Sequence, residues 1–375
     1  MARGLSTGLR FHPTRRPAMP PLYSNLIGWG YYVPERVLTN DDLSRMVDTS
    51  DEWIRTRSGI RERHIAGEAD QTSTMSVEAA RRAMARAGVA PEEVDFLIVA
   101  TSSPDYLTPP VSSQVQAQLG LTCGAMTLVV GCSGFAYALV TADQFIRTGA
   151  YRTIVVVGSE LLSRYIDWED RTTCVLFGDG AGAVVLQATE TPCGVRAFEL
   201  GSEGAGYDAI ILWGIGTAEP VTPERLAERR HYLRMNGREV FKFATNVLAG
   251  SLERVMRKAG IGPEDVDLFI PHQANSRIIE YAAQQVGLPP EKVVMNVSRY
   301  GNTSAASIPI ALAEALDEGR AKPGDTLAFV GFGAGLTWAA TLFDLGTLQR
   351  EGAGRATPKA SVVDEETGVV EGLIA

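Results

Sequence analysis

The sequence predicts an α/β protein made of two similar halves, in which parallel sheets covered by helices stack into five layers. Two observations predict this. The segment 87–98, AGVAPEEVDFLI, recurs 172 positions later at 259–270 as AGIGPEDVDLFI, with seven of the twelve positions identical. A match of that length at one wide separation points to a tandem duplication and not to a solenoid of short repeats. The second observation is the alternation of short apolar runs with helix-like stretches, the pattern of strands joined by crossover helices.

Taken in order, Leu26–Val33 reads as the first strand. Val77–Arg86 reads as a helix stopped at Gly88, followed by a Pro-Glu-Glu turn and the strand Phe96–Thr101; Val240–Lys258, Gly260 and the Pro-Glu-Asp turn repeat that unit. Val111–Leu119, Phe135–Thr148 and Ser304–Leu316 read as further helices, and Met126–Gly131, Thr153–Gly158 and Thr326–Gly331 as strands. The Gly-rich segments Phe177–Ala183 and Gly331–Gly335 lead into the apolar runs Val184–Leu186 and Leu336–Ala340. Neither has the spacing of a nucleotide-phosphate loop, so close backbone approach to a reacting centre is expected of both. The halves are expected over 23–190 and 191–345, flanked by extensions over 1–22 and 346–375. The N-terminal stretch holds Arg3, Arg10, Arg15 and Arg16 and no acidic residue before Glu35; the reading preferred to a transit peptide is a start at Met19.

Composition narrows the function. A chain of 375 residues that is 45% hydrophobic can bury a large core. Its net charge of −9, without a dense basic block, speaks against nucleic acid as a partner. Apolar runs such as Phe96–Ala100 are far shorter than the roughly 20 residues of a membrane span. Four cysteines with no CxxC pair fit a reducing cytoplasm and imply neither a disulfide framework nor a metal.

One cysteine stands apart. Cys132 sits where an apolar run gives way to Gly-Cys-Ser-Gly, and a strand ending at Gly131 with a helix from Ser133 would set its sulfur at a helix N-terminus, where thiolate is favoured. Cys123, Cys174 and Cys193 read as structural thiols. Far downstream come His-Gln-Ala-Asn at 272–275 and Gly-Asn-Thr-Ser at 301–304, candidate polar partners for a nucleophile.

Together these motifs resemble the thiolase superfamily and, within it, the β-ketoacyl-acyl-carrier-protein synthase III family. The resemblance runs from about Leu26 to Leu345 and adds Asp48–Ile54, Arg57–Arg63, Met235–Lys242 and Tyr300–Ser307 to the segments above. It implies a thiolase-like αβαβα sandwich, a homodimer, and a triad of Cys132, His272 and Asn302. Acyl transfer from an acyl-CoA to Cys132 would use backbone N–H groups of Cys132 and Ala334 as oxyanion donors. Decarboxylation of malonyl-acyl-carrier protein would then place charge on a thioester oxygen facing His272 and Asn302. No metal or redox cofactor is required, coenzyme A thioester being a substrate.

By the same resemblance Trp53 and Arg171 hold the adenine of coenzyme A, Arg57 its phosphates, and Thr49 and Asn275 its pantetheine arm. Lys242 and Arg277 would dock the acidic carrier protein, with Arg254, Arg257 and Lys258 as a substitute patch because Gln284 and Gln285 stand where relatives carry bases. Thr108 aligns with a position that closes the acyl pocket in short-primer members, so a longer primer channel is expected. Thr127 and Val129-Val130 depart from the pattern before the nucleophile. The alternative is a specialised-metabolite enzyme that primes a polyketide or acylates a non-malonyl acceptor.

Overall fold

The computed structural model describes residues 21–350, so the N-terminal extension with Met19 and most of the C-terminal one lie outside the described residues. In chain order the layers are built from β1 (Tyr23–Tyr32), α1 (Asp51–Ser58), α2 (Thr72–Ala87), β2 (Phe96–Ala100), α3 (Val111–Leu119), β3 (Gly124–Leu128), α4 (Gly134–Arg147), β4 (Thr153–Glu160), β5 (Gly180–Thr189), β6 (Gly194–Ser202), α5 (Gly237–Ala259), β7 (Leu268–Pro271), α6 (Ser276–Val286), α7 (Ser307–Asp317), β8 (Thr326–Gly333) and β9 (Thr337–Asp344). The first sheet has the order β1-β5-β4-β2-β3 and the second β7-β8-β9-β6.

The repeated segment folds the same way twice. Gly88 and Gly260 take the left-handed conformation that ends α2 and α5, at φ 61° and 69°. A 3₁₀ turn follows, Pro91–Glu93 in one copy and Pro263–Asp265 in the other. Asp95 and Asp267 then accept the amides of Thr153 and Thr326, tying each copy to its neighbouring strand.

Strand alternation sends side chains to two cores per sheet. Val155 and Val157 of β4 pack with Ala83 of α2 and Val115 of α3, whereas Ile154 and Val156 point the other way, to Phe135 and Leu139 of α4. Phe329 of β8 meets that same central core with Leu312 of α7, and Val330 turns out to Leu248 of α5 and Ile279 of α6. The result is α2/α3, sheet, α4/α7, sheet, α5/α6, the expected five layers. Each buried Phe, Leu or Val contributes about 1.5–3 kcal/mol on leaving water.

Two expectations need correction. The sheets are mixed: β4 and β3 run parallel to β2, and β7 to β8, but β1–β5, β5–β4, β8–β9 and β9–β6 are antiparallel. Hairpin and meander connections in the second part of each half need no crossover helix. The strand expected to reach Gly131 ends at Leu128, because the chain leaves the sheet to form the 3₁₀ turn Gly131–Ser133 before α4.

Candidate active site

Two short turns carry the chemistry, one at the head of each central helix. Gly131–Ser133 leads into α4, and Ser304–Ala306 leads into α7. Cys132 lies on the first. Gly131 must be glycine: its φ is 54°, and a Cβ there would sit 2.7 Å from the Ala334 backbone nitrogen. Gly333, at the end of β8, comes equally close, with its missing Cβ 2.4 Å from Cys132 N. The glycine-rich turn after β8 therefore packs the Ala334 amide nitrogen against the Gly131–Ser133 turn, and Ala334 is not among the residues with positive φ, so alanine carries no strain there. The other Gly-rich segment serves Asn302: Gly178 N donates to Asn302 O, and a Cβ on Gly178 would collide with Tyr300 O at 2.2 Å.

The sulfur sits at a helix N-terminus, but thiolate is not the resting form. Cys132 is open to the cavity, yet the cavity lies deep in the protein, and desolvation pushes the thiol up to about 12; hydrogen bonding from Ser304 opposes this, and the nearby Glu160 carboxylate adds to it. From the ordinary value of 9.0 that rise corresponds to about 4 kcal/mol. A helix terminus supplies roughly 0.3–2 kcal/mol, so burial wins.

His272 follows β7, its amide bonded to Val330 O at 2.8 Å. Gln273 locks the turn, donating to the carbonyls of Pro271 and Val294 and accepting the amides of Asn296 and Val297. Burial lowers His272 to about 3, so the imidazole is neutral at any working pH. Ser307 Oγ lies 2.6 Å from His272 Nδ1 and accepts the Gln273 amide at 3.3 Å. With the Ser307 hydroxyl donating to Nδ1, the ring proton is on Nε2, the tautomer that the proposed donor role requires.

Asn302 is oriented in the same way. Its backbone pairs with Leu176 and Gly178, and its Oδ1 accepts the Ser304 amide at 2.8 Å, leaving the Nδ2 amino group as the free donor. Cys132, His272, Asn302 and Ala334 line one cavity of about 320 Å³, walled by apolar side chains including Leu162, Phe177, Leu233 and Phe332. The cavity thus brings a cysteine, a histidine and an asparagine together with the Gly333–Ala334 turn. That arrangement suits acyl transfer followed by stabilisation of a second oxyanion.

The remaining predicted residues are distributed unevenly. Arg57 and Asn275 line the cavity mouth, where Asn275 Nδ2 donates to Arg57 O. The guanidinium groups of Arg57 and Arg171 lie 4.5 and 5.2 Å from the Trp53 ring, with Arg171 also donating to Asp48 O. Thr49 is not part of the cavity wall; its hydroxyl is buried without a partner. Lys242 and Arg277 are exposed beside Phe241, which lines the mouth. In the substitute patch Arg254 is held bidentate by Glu199 and Lys258 donates to Phe198 O, while Arg257 is exposed. Thr108 lies in an exposed loop and is not in the wall of this chain's cavity. Sequence reasoning missed Glu160, Ser304 and Ser307. The signal for Glu160 was a carboxylate ending the apolar run Thr153–Gly158.

Among the described residues no group of His, Cys, Asp and Glu is placed to hold a metal ion, and no helix is long and apolar enough to cross a membrane.

Fold and site define a thiolase-fold protein of the acyltransferase class, with a cysteine, a histidine and an asparagine lining one cavity. Family models for 3-oxoacyl-[acyl-carrier-protein] synthase III match residues 126–204 and, for its C-terminal part, 256–345. The chain is 52% identical over 316 residues to the β-ketoacyl-[acyl-carrier-protein] synthase III of Symbiobacterium thermophilum, covering 84% of this chain and 96% of that one. The crystal structure of the synthase III from Thermus thermophilus superposes with a TM-score of 0.81 at 46% identity, covering 86% of this chain and 99% of that one. A priming β-ketosynthase from a polyketide pathway superposes with 0.82 at 32% identity, covering 89% and 99%. The chain belongs to the β-ketoacyl-[acyl-carrier-protein] synthase III family and is a condensing acyltransferase of fatty-acid biosynthesis.

Proposed function

We propose that the enzyme loads an acyl group from acyl-CoA onto Cys132 and condenses it with malonyl-acyl-carrier protein. In the first step the Cys132 sulfur attacks the thioester carbonyl, the oxyanion forms against the amides of Cys132 and Ala334, and coenzyme A leaves as the thiol. In the second, the malonyl thioester loses CO₂, and the electron pair moves onto its carbonyl oxygen, held by His272 Nε2–H and Asn302 Nδ2–H. The carbanion then attacks the acyl-cysteine, releasing 3-oxoacyl-acyl-carrier protein and restoring Cys132. No cofactor takes part. The observation that carries this reading is the pairing of a nucleophile with two neutral donors whose orientations are set by Ser307 and Ser304.

Trp53, Arg57 and Arg171 form the surface offered to the nucleotide end of coenzyme A, with Asn275 and the neighbouring Thr49 towards its pantetheine arm. Lys242 and Arg277 are exposed cations offered to the carrier protein. The working unit is a homodimer in the cytoplasm. In support, β3 is an edge of the first sheet, and Leu107 (77% exposed) and Val129 (70%) leave apolar surface uncovered beside it. Intact-protein mass spectrometry with acyl-CoAs of graded length tests the reading. An adduct on the native chain, absent from Cys132→Ala and discharged by malonyl-acyl-carrier protein into a 3-oxoacyl product, is expected. An adduct that ignores malonyl-acyl-carrier protein would instead favour another acceptor.

A further inference from the structure

Asn302 sits on a stretch of chain that regular structure does not fix. It lies between Gly301 at φ 63° and Ser304 at φ 48°, both left-handed and outside the two sheets. Backbone of that kind keeps one geometry only where its surroundings impose it. Here the segment Val175–Gly178 imposes it: Asn302 N donates to Leu176 O at 2.8 Å, and Gly178 N donates to Asn302 O at 3.0 Å. That segment belongs to no helix or extended strand, so it needs an anchor of its own.

The anchor is Arg63, on the short strand Glu62–His64. It is fully buried and is one of the largest side chains the protein encloses. Its guanidinium donates to Val175 O at 2.7 Å, to Leu38 O at 3.1 Å and to Asn40 Oδ1 at 2.9 Å. All three acceptors are neutral, and Nε has no partner. The stem is held as closely as the head: a Cβ on Gly178 would meet Arg63 Cβ at 3.1 Å, and one on Gly301 would meet it at 3.3 Å. Arg63 therefore packs against both glycines next to Asn302, one along the chain and one across a hydrogen bond.

A buried cation that faces no carboxylate is costly. Stability alone does not call for one, since well-packed apolar side chains of similar volume fill a core at no greater cost. What a guanidinium adds is a rigid planar fork, which here holds acceptors from three separate stretches of chain in fixed relation. The far side of the fork leads towards the surface offered to coenzyme A. Asn40, also buried, donates through Nδ2 to Asp51 Oδ1 at 2.9 Å and to Ile60 O at 2.8 Å. Asp51 opens α1, the helix that carries Trp53 and Arg57.

We propose that Arg63 is a positioning residue for the decarboxylation half of the reaction. It touches no substrate; it fixes Val175–Gly178 and, through that segment, the aim of the Asn302 side chain. Misplacing a reacting or catalytic group by about 1 Å costs up to about 100-fold in rate. Acylation of Cys132 depends on a different piece of backbone, the Gly131–Ser133 turn packed against Gly333 and Ala334, so it is spared.

This inference rests on the function proposed above, and the test separates the two. Arg63→Lys keeps the stem and the charge, whereas Arg63→Met keeps the stem alone. Each is assayed for single-turnover acylation by acyl-CoA and for primer-independent release of CO₂ from malonyl-acyl-carrier protein, alone and combined with Asn302→Ala. Decarboxylation rates are divided by the fraction of chains that take up an acyl group, which removes unfolded chains from the comparison. In both single variants kcat for decarboxylation should fall about 10- to 100-fold with KM within about 3-fold, while acylation stays within about 3-fold. Added to Asn302→Ala, either substitution should slow decarboxylation by less than about 3-fold more, because the side chain it aims is already gone. Decarboxylation within about 3-fold of wild type, an equal fall in both half-reactions, or a full multiplicative loss in the double variant overturns the proposal. A wild-type chain that takes up no acyl group overturns the functional reading, and this inference with it.

Discussion

Replacing Asn302 by Asp tests the donor pair at its most exposed assumption. Asp has nearly the shape of Asn, and one carboxylate oxygen can still accept the Ser304 amide that Oδ1 accepts now at 2.8 Å. The fold around Phe177 and Gly178 depends on the Asn302 backbone and is untouched. What changes is the other end of the side chain, where a donor becomes an acceptor carrying charge. Losing one preorganised donor costs about 2.7–4 kcal/mol, or a factor of 10²–10³. A unit charge about 4 Å from the developing oxyanion adds about 4 kcal/mol at an effective dielectric constant near 20. Protonation of the aspartate in so buried a site would relieve part of that repulsion, so the donor loss sets the floor. Primer-independent release of CO₂ from malonyl-acyl-carrier protein is therefore expected to fall at least about 1000-fold, while acylation of Cys132, which uses the amides of Cys132 and Ala334, stays within about 10-fold. Decarboxylation within 10-fold of wild type would refute the assignment of Nδ2 as an oxyanion donor, and so would an equal collapse of both half-reactions.

Three further outcomes follow from the same geometry. His272, lowered to about 3 by burial, should show no titration between pH 5 and 8 in ¹⁵N-detected NMR and should carry its proton on Nε2; a midpoint in that range, or Nδ1–H, would contradict the Ser307 argument. Gly131→Ala forces a left-handed alanine, at about 1–2 kcal/mol, and drives its Cβ into the Ala334 amide, so denaturant unfolding should show a loss of roughly 2 kcal/mol or more with slower acylation; an unchanged midpoint would mean that the turn can open. Glu160 is raised from 4.5 to about 7, so the native state holds its proton more tightly than the unfolded chain: the stability this gives is full below about 4.5 and is lost as pH rises through 7, about 3 kcal/mol in all. His272 acts in the opposite sense over the acid range, but it is common to wild type and Glu160→Gln, so the difference between their stability curves isolates Glu160; a flat difference from pH 4.5 to 7 would show that the carboxyl is not raised.

The duplicated unit was legible because its signals are local. A helix, a left-handed glycine, a proline turn and an aspartate that caps the next connection all lie within one stretch of chain, and Gly88, Gly260, Asp95 and Asp267 behave alike in both copies. Cys132, His272 and Asn302 stood out because each sits beside glycines or other small residues where an apolar run breaks off. The strand end before Cys132 was misjudged for the converse reason: Val129 and Val130 continue the apolar run, but Val129 is 70% exposed, and periodicity does not distinguish an apolar residue in the sheet from one left on the surface. Ser304, Ser307 and Glu160 were hidden because their roles exist only across the fold, over separations of 35 residues between His272 and Ser307 and 144 between Glu160 and Ser304.

Duplication also explains why the site is asymmetric. Each half ends a 3₁₀ turn at a central helix, and α4 and α7 share one core between the two sheets, so the two turns are brought together whatever residues they carry. The first turn has Gly131 and then the nucleophile Cys132; the second has Ser304 and then Ala305, a side chain with no chemistry. Ala305 is buried in the central core and packs under Gly134, outside the cavity wall. The strain moved the other way, from a glycine that takes the left-handed turn freely to a serine that does not. The halves thus differ at the cavity, one presenting the sulfur and the other the histidine and asparagine, with Glu160 reaching from the first sheet to accept from Ser304 on the second turn. Restoring the symmetry at position 304 with glycine is therefore expected to give a more comfortable backbone and a poorer enzyme, the trade expected of a strained residue kept for its side chain.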